Sequence, residues 1–378
     1  MKKKTIVCLL LVMLLAIFSI GAQSVKESRG GLIVQKGSVK EIEKYGHALL
    51  DITIEDFLAA GYELGDTVDV VFDNGYTLTG IPFFNGYYVQ KGSPLLRAYP
   101  GQTNIAVCIN YGKLNEIAGI SAGTGVEISL DKKAAALETQ ILNSLTYTNN
   151  REDYSSDEVF ANFREITVGK IKPGRLYRSA SPFNPKYGRG PYANALAEKV
   201  GIRGILDLAD NEEDIRAYFD QPDFNSFYSK ALYEKGAVLL LGMPVDYSSE
   251  SFAKKLVSGI AGVGSAEGPI LIHCTEGKDR AGFVSALVEA LMGATYQEII
   301  DDYMKSYENY YGLTKESDPG KYAVVVKNNI DGMLRVIAGT DASADLTKAD
   351  FAAGARKYLT ANGLTDAQVD FIAAYLGN

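Results

Sequence analysis

Pro269-Ile270-Leu271-Ile272-His273-Cys274-Thr275-Glu276-Gly277-Lys278-Asp279-Arg280-Ala281-Gly282 is a short apolar run, a polar loop and the start of a second apolar stretch that continues from Phe283 to Met292. The first run predicts a buried strand and the second a largely buried helix. A tight loop between them turns backbone N–H groups toward its own centre, and the helix N-terminus adds roughly half a positive charge, so an anion is favoured there. Cys274 stands where that field is strongest. With Arg280 nearby, the field favours the thiolate, the nucleophilic form of the side chain. The planar Arg280 fork suits two oxygens of a phosphoryl group. Gly277 supplies a backbone conformation that a Cβ disfavours. Lys278 adds a second cation at the rim, and His273 is expected to orient the loop through hydrogen bonds rather than to act as a base. The bland alternative is a buried structural cysteine ahead of a helix, but a polar, charged loop is a poor setting for an inert core thiol.

The Cys274-to-Arg280 spacing alone is a weak signal; His273, Gly277, Gly282 and the strand-to-helix context sharpen it. Together these residues resemble the phosphate-binding loop of cysteine-dependent protein tyrosine phosphatases, in the bacterial branch with an HCxxGKDR loop. Asn162-Phe163-Arg164, Gly174 to Ala180, Gly201 to Leu208, Asp302 to Ser306, and Tyr358-Leu359 with Gly363-Leu364-Thr365 resemble further stretches of that branch, so the similarity runs from about Arg151 to Asn378. The resemblance implies that Cys274 attacks phosphorus, that water then releases phosphate, and that no metal or other cofactor takes part. His273, Thr275, Glu276, Gly277, Lys278, Ala281 and Gly282 would line the bound phosphate. Two residues compete for the general acid: Asp279 inside the loop, and Asp246 in Gly242-Met243-Pro244-Val245-Asp246-Tyr247, near where other tyrosine phosphatases carry a mobile acid loop. Two departures stand out. Ala209 replaces an arginine that follows Asp207-Leu208 in the family, and Ala281 replaces a Ser or Thr whose hydroxyl would stabilise the departing thiolate. Asp207, Asp210, Glu212 and Glu213 are candidates to orient the loop's basic groups, with a solvated loop as the alternative, and Arg178-Ser179 could reach the loop through hydrogen bonds.

Around this loop, apolar strand candidates at Gly204 to Leu208 and Ala237 to Leu241 alternate with helical stretches, and the region from Thr295 onward reads as largely helical. The pattern predicts an α/β domain over residues 132–378, with a mainly parallel sheet flanked by helices. Lys132 to Leu145 reads as a helix opening it. The chain before it is different. Short alternating runs such as Thr67 to Phe72, a turn at Asp73-Asn74-Gly75 and Tyr76 to Gly80 predict a small β-barrel over residues 23–131. That stretch weakly resembles the C-terminal barrel of S-adenosylmethionine hydroxide adenosyltransferases. No activity follows from it, because the family's nucleoside site needs a partner domain that is lacking here, and a structural, docking or substrate-presenting role is the expectation.

At the N-terminus, Lys2-Lys3-Lys4, an apolar run to Ile20 and Gly21-Ala22-Gln23 form the three regions of an export signal, over residues 1–22, with an uncleaved anchor as the alternative. The expected setting is periplasmic, cell-surface or secreted, with no transmembrane span once the leader is removed. Loss of the three lysines takes the net charge from −8 to −11, which argues against a nucleic-acid partner. Of three cysteines, Cys8 goes with the leader. Cys108, in an apolar run, reads as a core strand residue, so a disulfide framework is not expected. His47 lacks the companions a metal site needs. The expected partner is a phosphorylated protein or a phosphorylated inositol or lipid. The rival from another class is a phosphate-binding or adhesion module of low turnover.

Overall fold

The computed structural model describes residues 33–377; the leader read over residues 1–22 lies outside them. The described chain forms two compact units, one of residues 33–83 and 89–134, the other of residues 84–88 and 135–377.

The first unit is built on a closed barrel. Its seven strands are β1 (Val34–Ile42), β2 (Ala48–Thr53), β3 (Thr67–Phe72), β4 (Thr77–Phe84), β5 (Pro94–Arg97), β6 (Asn104–Ile109) and β7 (Gly125–Lys132), in the order β1-β2-β6-β5-β4-β3-β7. β1 pairs antiparallel with both β2 and β7, which closes the ring. Alternation puts Val68, Val70 and Phe72 of β3 into the core with Ile105, Val107 and Ile128, as a period of two requires when one face of the strand is interior. Cys108 is buried in β6.

The helix read over Lys132 to Leu145 is corrected at its start. β7 runs to Lys132, paired with Thr67, and the helix covers only Leu137–Ser144. The Asp66 carboxylate accepts a hydrogen bond of 2.8 Å from the Ala134 N–H and pairs with Lys133 at 3.0 Å. These tertiary contacts hold Lys133 and Ala134 in a turn despite their helical propensity.

The second unit is an α/β layer structure. Its sheet has β8 (Arg164–Ile166), β9 (Leu176–Ala180), β10 (Gly204–Asp207), β11 (Val238–Leu240) and β12 (Ile270–Cys274) in the order β11-β10-β12-β9-β8. β12 lies between β10 and β9, parallel to both; β11 is parallel to β10, and β8 is antiparallel to β9. On one face Ile270, Ile272 and Cys274 join Phe283, Val284, Leu287 and Ile300, and on the other Leu271 joins Phe163, Phe183, Leu196 and Leu232. The helix Asp279–Leu291 is buried on all sides from Ala281 to Ala290, which accounts for its mainly apolar sequence, interrupted by Ser285 and Glu289. After Thr295 the chain is largely helical: Thr295 caps Tyr296–Tyr311 in a reciprocal capping box, and Asp350 caps Phe351–Ala361. Among the described residues no helix is long and apolar enough to cross a membrane.

Candidate active site

β12 ends at Cys274, opposite Ala180 of β9, and His273 lies opposite Ser179 and Asp207. The loop therefore opens at the C-terminal edge of three parallel strands, where α/β sheets place their ligand sites. Alternation turns Cys274 toward the helix Asp279–Leu291 and His273 toward the opposite layer. No side chain caps the N-terminus of that helix, so its first N–H groups are left for an anion.

The loop is braced from behind. Arg178, wholly buried, donates to the Gly277 carbonyl at 2.9 Å and the Lys278 carbonyl at 3.3 Å, while its other Nη meets the Asp302 carboxylate at 2.7 Å. The Asn162 amide donates to the carbonyls of Glu276 and Gly277, both at 3.2 Å, and the Tyr310 hydroxyl donates to the Glu276 carbonyl at 2.6 Å. Each loop carbonyl from 276 to 278 is thus drawn to the outer side, which leaves the amide edge of those peptides for the centre. Arg164 completes the brace, with Nε 2.7 Å from Asp302 and Nη1 3.0 Å from the Asn162 oxygen. Burial opposes ionisation of Asp302, but Arg164 and Arg178 outweigh it and hold this carboxyl well below its ordinary range. The neighbouring Glu289 is pushed well above its own by burial and by the charge of Asp302.

Two glycines are required by space. Gly277 has φ +67°, and a Cβ there would stand 2.1 Å from the Ser179 carbonyl oxygen. A Cβ on Gly282 would stand 2.6 Å from the Tyr303 ring.

Cys274, Thr275, Glu276, Asp279 and Arg280 line a cavity of about 210 Å³ together with Lys186, Tyr187 and Val245. A second cavity of about 160 Å³ shares Val245, Asp279 and Arg280 with it and reaches Tyr247, Asn328 and Asn329. A larger groove, about 680 Å³, opens at the opposite end of the strands around Gly204 and Ile270. It contains no thiol and no phosphate loop, so size does not mark the chemistry here. Arg280 is steered by bonds to the Met243 carbonyl at 3.1 Å and the Thr275 hydroxyl at 3.2 Å.

The two acid candidates separate. Asp279 lines the cavity with Cys274, and burial pushes its carboxyl above the ordinary range against the pull of Lys278 and Arg280. Asp246 is exposed and is tied to the Ser248 N–H at 3.0 Å and the Ser248 hydroxyl at 2.6 Å, bonds that hold it below the ordinary range. It lies outside both cavities.

Other expectations need correction. Neither nitrogen of His273 has a well-formed hydrogen bond; the ring is fully buried, 5.8 Å from the Phe183 ring, and burial pushes it down to about 4. It orients the loop by packing, as a neutral imidazole. Asp207 and Asp210 lie buried on its side of the sheet, with Asp207 Oδ2 3.7 Å from His273 Nε2. Burial raises Asp207 to about 6, and burial with the charge of Asp207 raises Asp210 to about 7. Asp207 also accepts the N–H groups of Ala209 and Asp210 at 2.9 and 3.0 Å, so the turn after β10 is closed without the family arginine. Glu212 and Glu213 do not join them: they lie exposed in the first turn of the next helix, where Glu212 pairs with Arg216. Ala281 is buried just inside the Asp279–Leu291 helix.

Lys278 is not a free rim cation. Its Nζ is 3.0 Å from the Glu276 carboxylate and 2.9 Å from the Tyr311 hydroxyl, over the rings of Tyr307, Tyr310 and Tyr311. Tyr147 and Arg189, which no sequence signal marked, also belong here. The Tyr147 hydroxyl donates to Glu276, and the buried Arg189 guanidinium lies 5.2 Å from the Tyr147 ring and 4.6 Å from that of Tyr310.

The chain is similar in sequence to known proteins. The model of the tyrosine phosphatase family matches residues 158–377, more than half of the chain. A tyrosine-protein phosphatase of Nostoc commune is 40% identical over 52 residues, 14% of this chain and 18% of that relative, so the chain matches less than a fifth of its length. Among solved structures, TpbA of P. aeruginosa in complex with pTyr is 18% identical, covering 42% of this chain and 83% of that one at a TM-score of 0.25. The core catalytic domain of the PP-IP phosphatase SIW14 of S. cerevisiae is 20% identical, covering 46% and 94% at a TM-score of 0.27.

Proposed function

The chain belongs to the tyrosine phosphatase family, and from that premise we propose that it hydrolyses phosphate monoesters, with protein phosphotyrosine as substrate, through a cysteinyl-phosphate intermediate. The observation that carries the reading is one cavity holding the Cys274 thiol, the Arg280 guanidinium and the Asp279 carboxyl above a loop whose carbonyls are drawn outward.

The Cys274 thiolate attacks phosphorus, forming the S–P bond as the ester P–O bond breaks. The leaving phenolate takes the proton of Asp279, which burial keeps available. Arg280 and the loop N–H groups hold the equatorial oxygens as charge spreads over them. In the second step the Asp279 carboxylate removes a proton from water, the water oxygen bonds to phosphorus, and the S–P bond breaks to return the thiolate and inorganic phosphate. The leader sequence supports action outside the cytoplasm, where the near-complete burial of Cys274 would protect the thiol from oxidation.

The test is phosphate release from p-nitrophenyl phosphate and a phosphotyrosyl peptide by the mature chain, with chelator and reductant, beside Cys274→Ser. Turnover that disappears in the variant is the expected result. Wild-type protein no faster than the variant would overturn the hydrolase reading in favour of a phosphate-binding module.

A further inference from the structure

Glu276 occupies an unusual place for a carboxylate, inside a loop shaped to hold an anion. Its side chain lines the cavity that contains Cys274 and is 19% exposed, with Lys278 at 12%. One carboxylate oxygen is 3.0 Å from Lys278 Nζ, and the other accepts the Tyr147 hydroxyl. Lys278, the cation that would otherwise meet a second phosphate, is fully engaged by Glu276, by the Tyr311 hydroxyl and by three aromatic faces. Burial works against the charge of Glu276, yet Lys278 and Tyr147 hold it below the ordinary carboxylate range, so the group is an anion at neutral pH. The other charged groups near the mouth are Arg280, committed to the transferred phosphoryl group, Asp279, the exposed Lys186, whose ammonium lies 4.8 Å from the Tyr187 ring, and the buried Arg189, 5.2 Å from the Tyr147 ring, whose charge also lowers Glu276. Tyr187 lines the cavity, and Tyr147 stands edge-on to it at 6.3 Å. The mouth thus offers an aromatic wall and a fixed negative charge in place of a second phosphate site.

We propose that Glu276 is a specificity-determining residue: by neutralising Lys278 and fixing a carboxylate at the mouth, it admits a singly phosphorylated aryl ester and rejects ligands that carry further phosphates close to the first. This deepens the hydrolase reading and rests on it for the identity of the site. The feature depends on Tyr147, 129 residues away in sequence. For a unit charge within about 8 Å of a phosphate, partly screened, the change in binding is roughly tenfold.

The experiment measures binding, so it does not depend on turnover. In the full mature chain carrying Cys274→Ser, calorimetric dissociation constants are taken for phosphotyrosine and for inositol hexakisphosphate, with and without Glu276→Gln. Phosphotyrosine is expected to bind more tightly in the parent. Glu276→Gln, which keeps the volume and an acceptor for Tyr147, is expected to tighten inositol hexakisphosphate about tenfold more than it tightens phosphotyrosine. Glu276→Ala, which makes no demand on the Tyr147 contact, should shift the ratio in the same sense and serves if the Gln variant does not fold. Preference of the parent for inositol hexakisphosphate, or equal tightening of both ligands by the variants, overturns the inference. Absence of Cys274-dependent turnover would strike the hydrolase reading and leave the binding ratio as the measure of this one.

Discussion

Replacing Arg178 by Lys tests whether the phosphate loop is shaped from behind. The guanidinium makes three contacts in different directions: Asp302 at 2.7 Å, and the carbonyls of Gly277 and Lys278 at 2.9 and 3.3 Å. A single ammonium keeps the charge opposite Asp302, which also retains Arg164 at 2.7 Å, but it cannot span to both carbonyls. Charge-assisted bonds to buried acceptors are worth about 1.5–3 kcal/mol each, so losing one full bond and one long one costs about 2–4 kcal/mol. The Lys278 carbonyl is then free to rotate inward, toward the bound phosphate, and that of Gly277 is held only by the Asn162 amide at 3.2 Å. A displacement of about 1 Å at a reacting centre lowers rate by roughly a hundredfold. Urea melts and kcat/KM with p-nitrophenyl phosphate measure the two effects separately. Arg178→Lys with stability within about 1 kcal/mol of wild type and kcat/KM within about threefold would refute the bracing argument, because a merely space-filling arginine needs neither carbonyl.

Gly277→Ala puts a Cβ 2.1 Å from the Ser179 carbonyl at φ +67°; the clash and the left-handed backbone together should cost at least about 2 kcal/mol, read by denaturation, with a parallel loss of vanadate binding. Asp279→Asn should flatten the high-pH limb of the pH–rate profile, while Asp246→Asn, tied to Ser248 outside the cavity, should leave it in place; the reverse pattern would reassign the acid. With Ala281 offering no hydroxyl to the departing thiolate, wild type should give a burst of p-nitrophenolate in stopped flow, and Ala281→Ser should diminish it by speeding phosphoenzyme breakdown. Asp210 carries 3.8 in the unfolded chain and about 7 in the fold, so between those values the fold keeps a proton that the unfolded chain has lost, and stability falls as pH rises through the window. His273, with 6.5 unfolded and about 4 folded, acts with opposite sign below about 6.5. Asp210→Asn should therefore remove about 1 kcal/mol of the decline between about pH 6.5 and 8, and an identical decline in both proteins would refute the assignment.

The strand, loop and helix around Cys274 were legible because each follows from local chemistry: an apolar run, a glycine and an apolar stretch in succession. β9 was not read as a strand, since it carries Arg178 and Ser179 at buried positions; those polar residues serve the loop and break the apolar pattern that marks a core strand. The Leu137–Ser144 helix was placed too early because Asp66, far away in sequence, captures Ala134 and Lys133. Lys278 was read as a free cation because charge is visible in a sequence and its partners are not: Glu276 is a neighbour, but Tyr311 and the ring faces come from another helix. His273 shows the same limit. Its burial between layers, which decides its protonation, follows from alternation along β12 only once the register with Asp207 and Ser179 is known.

The two sheets also differ in how they end. The barrel has no first or last strand, since β1 is bonded on both sides, so it offers no unpaired ladder to another chain. The five-stranded sheet does end, and at β11 the outermost strand is three residues long with Leu239 turned to solvent. Its shortness limits the template for intermolecular strand addition, the usual protection of an open edge. Self-association under heat or concentration, when it comes, should therefore begin at an open edge of this sheet, β11 or β8, and spare the barrel.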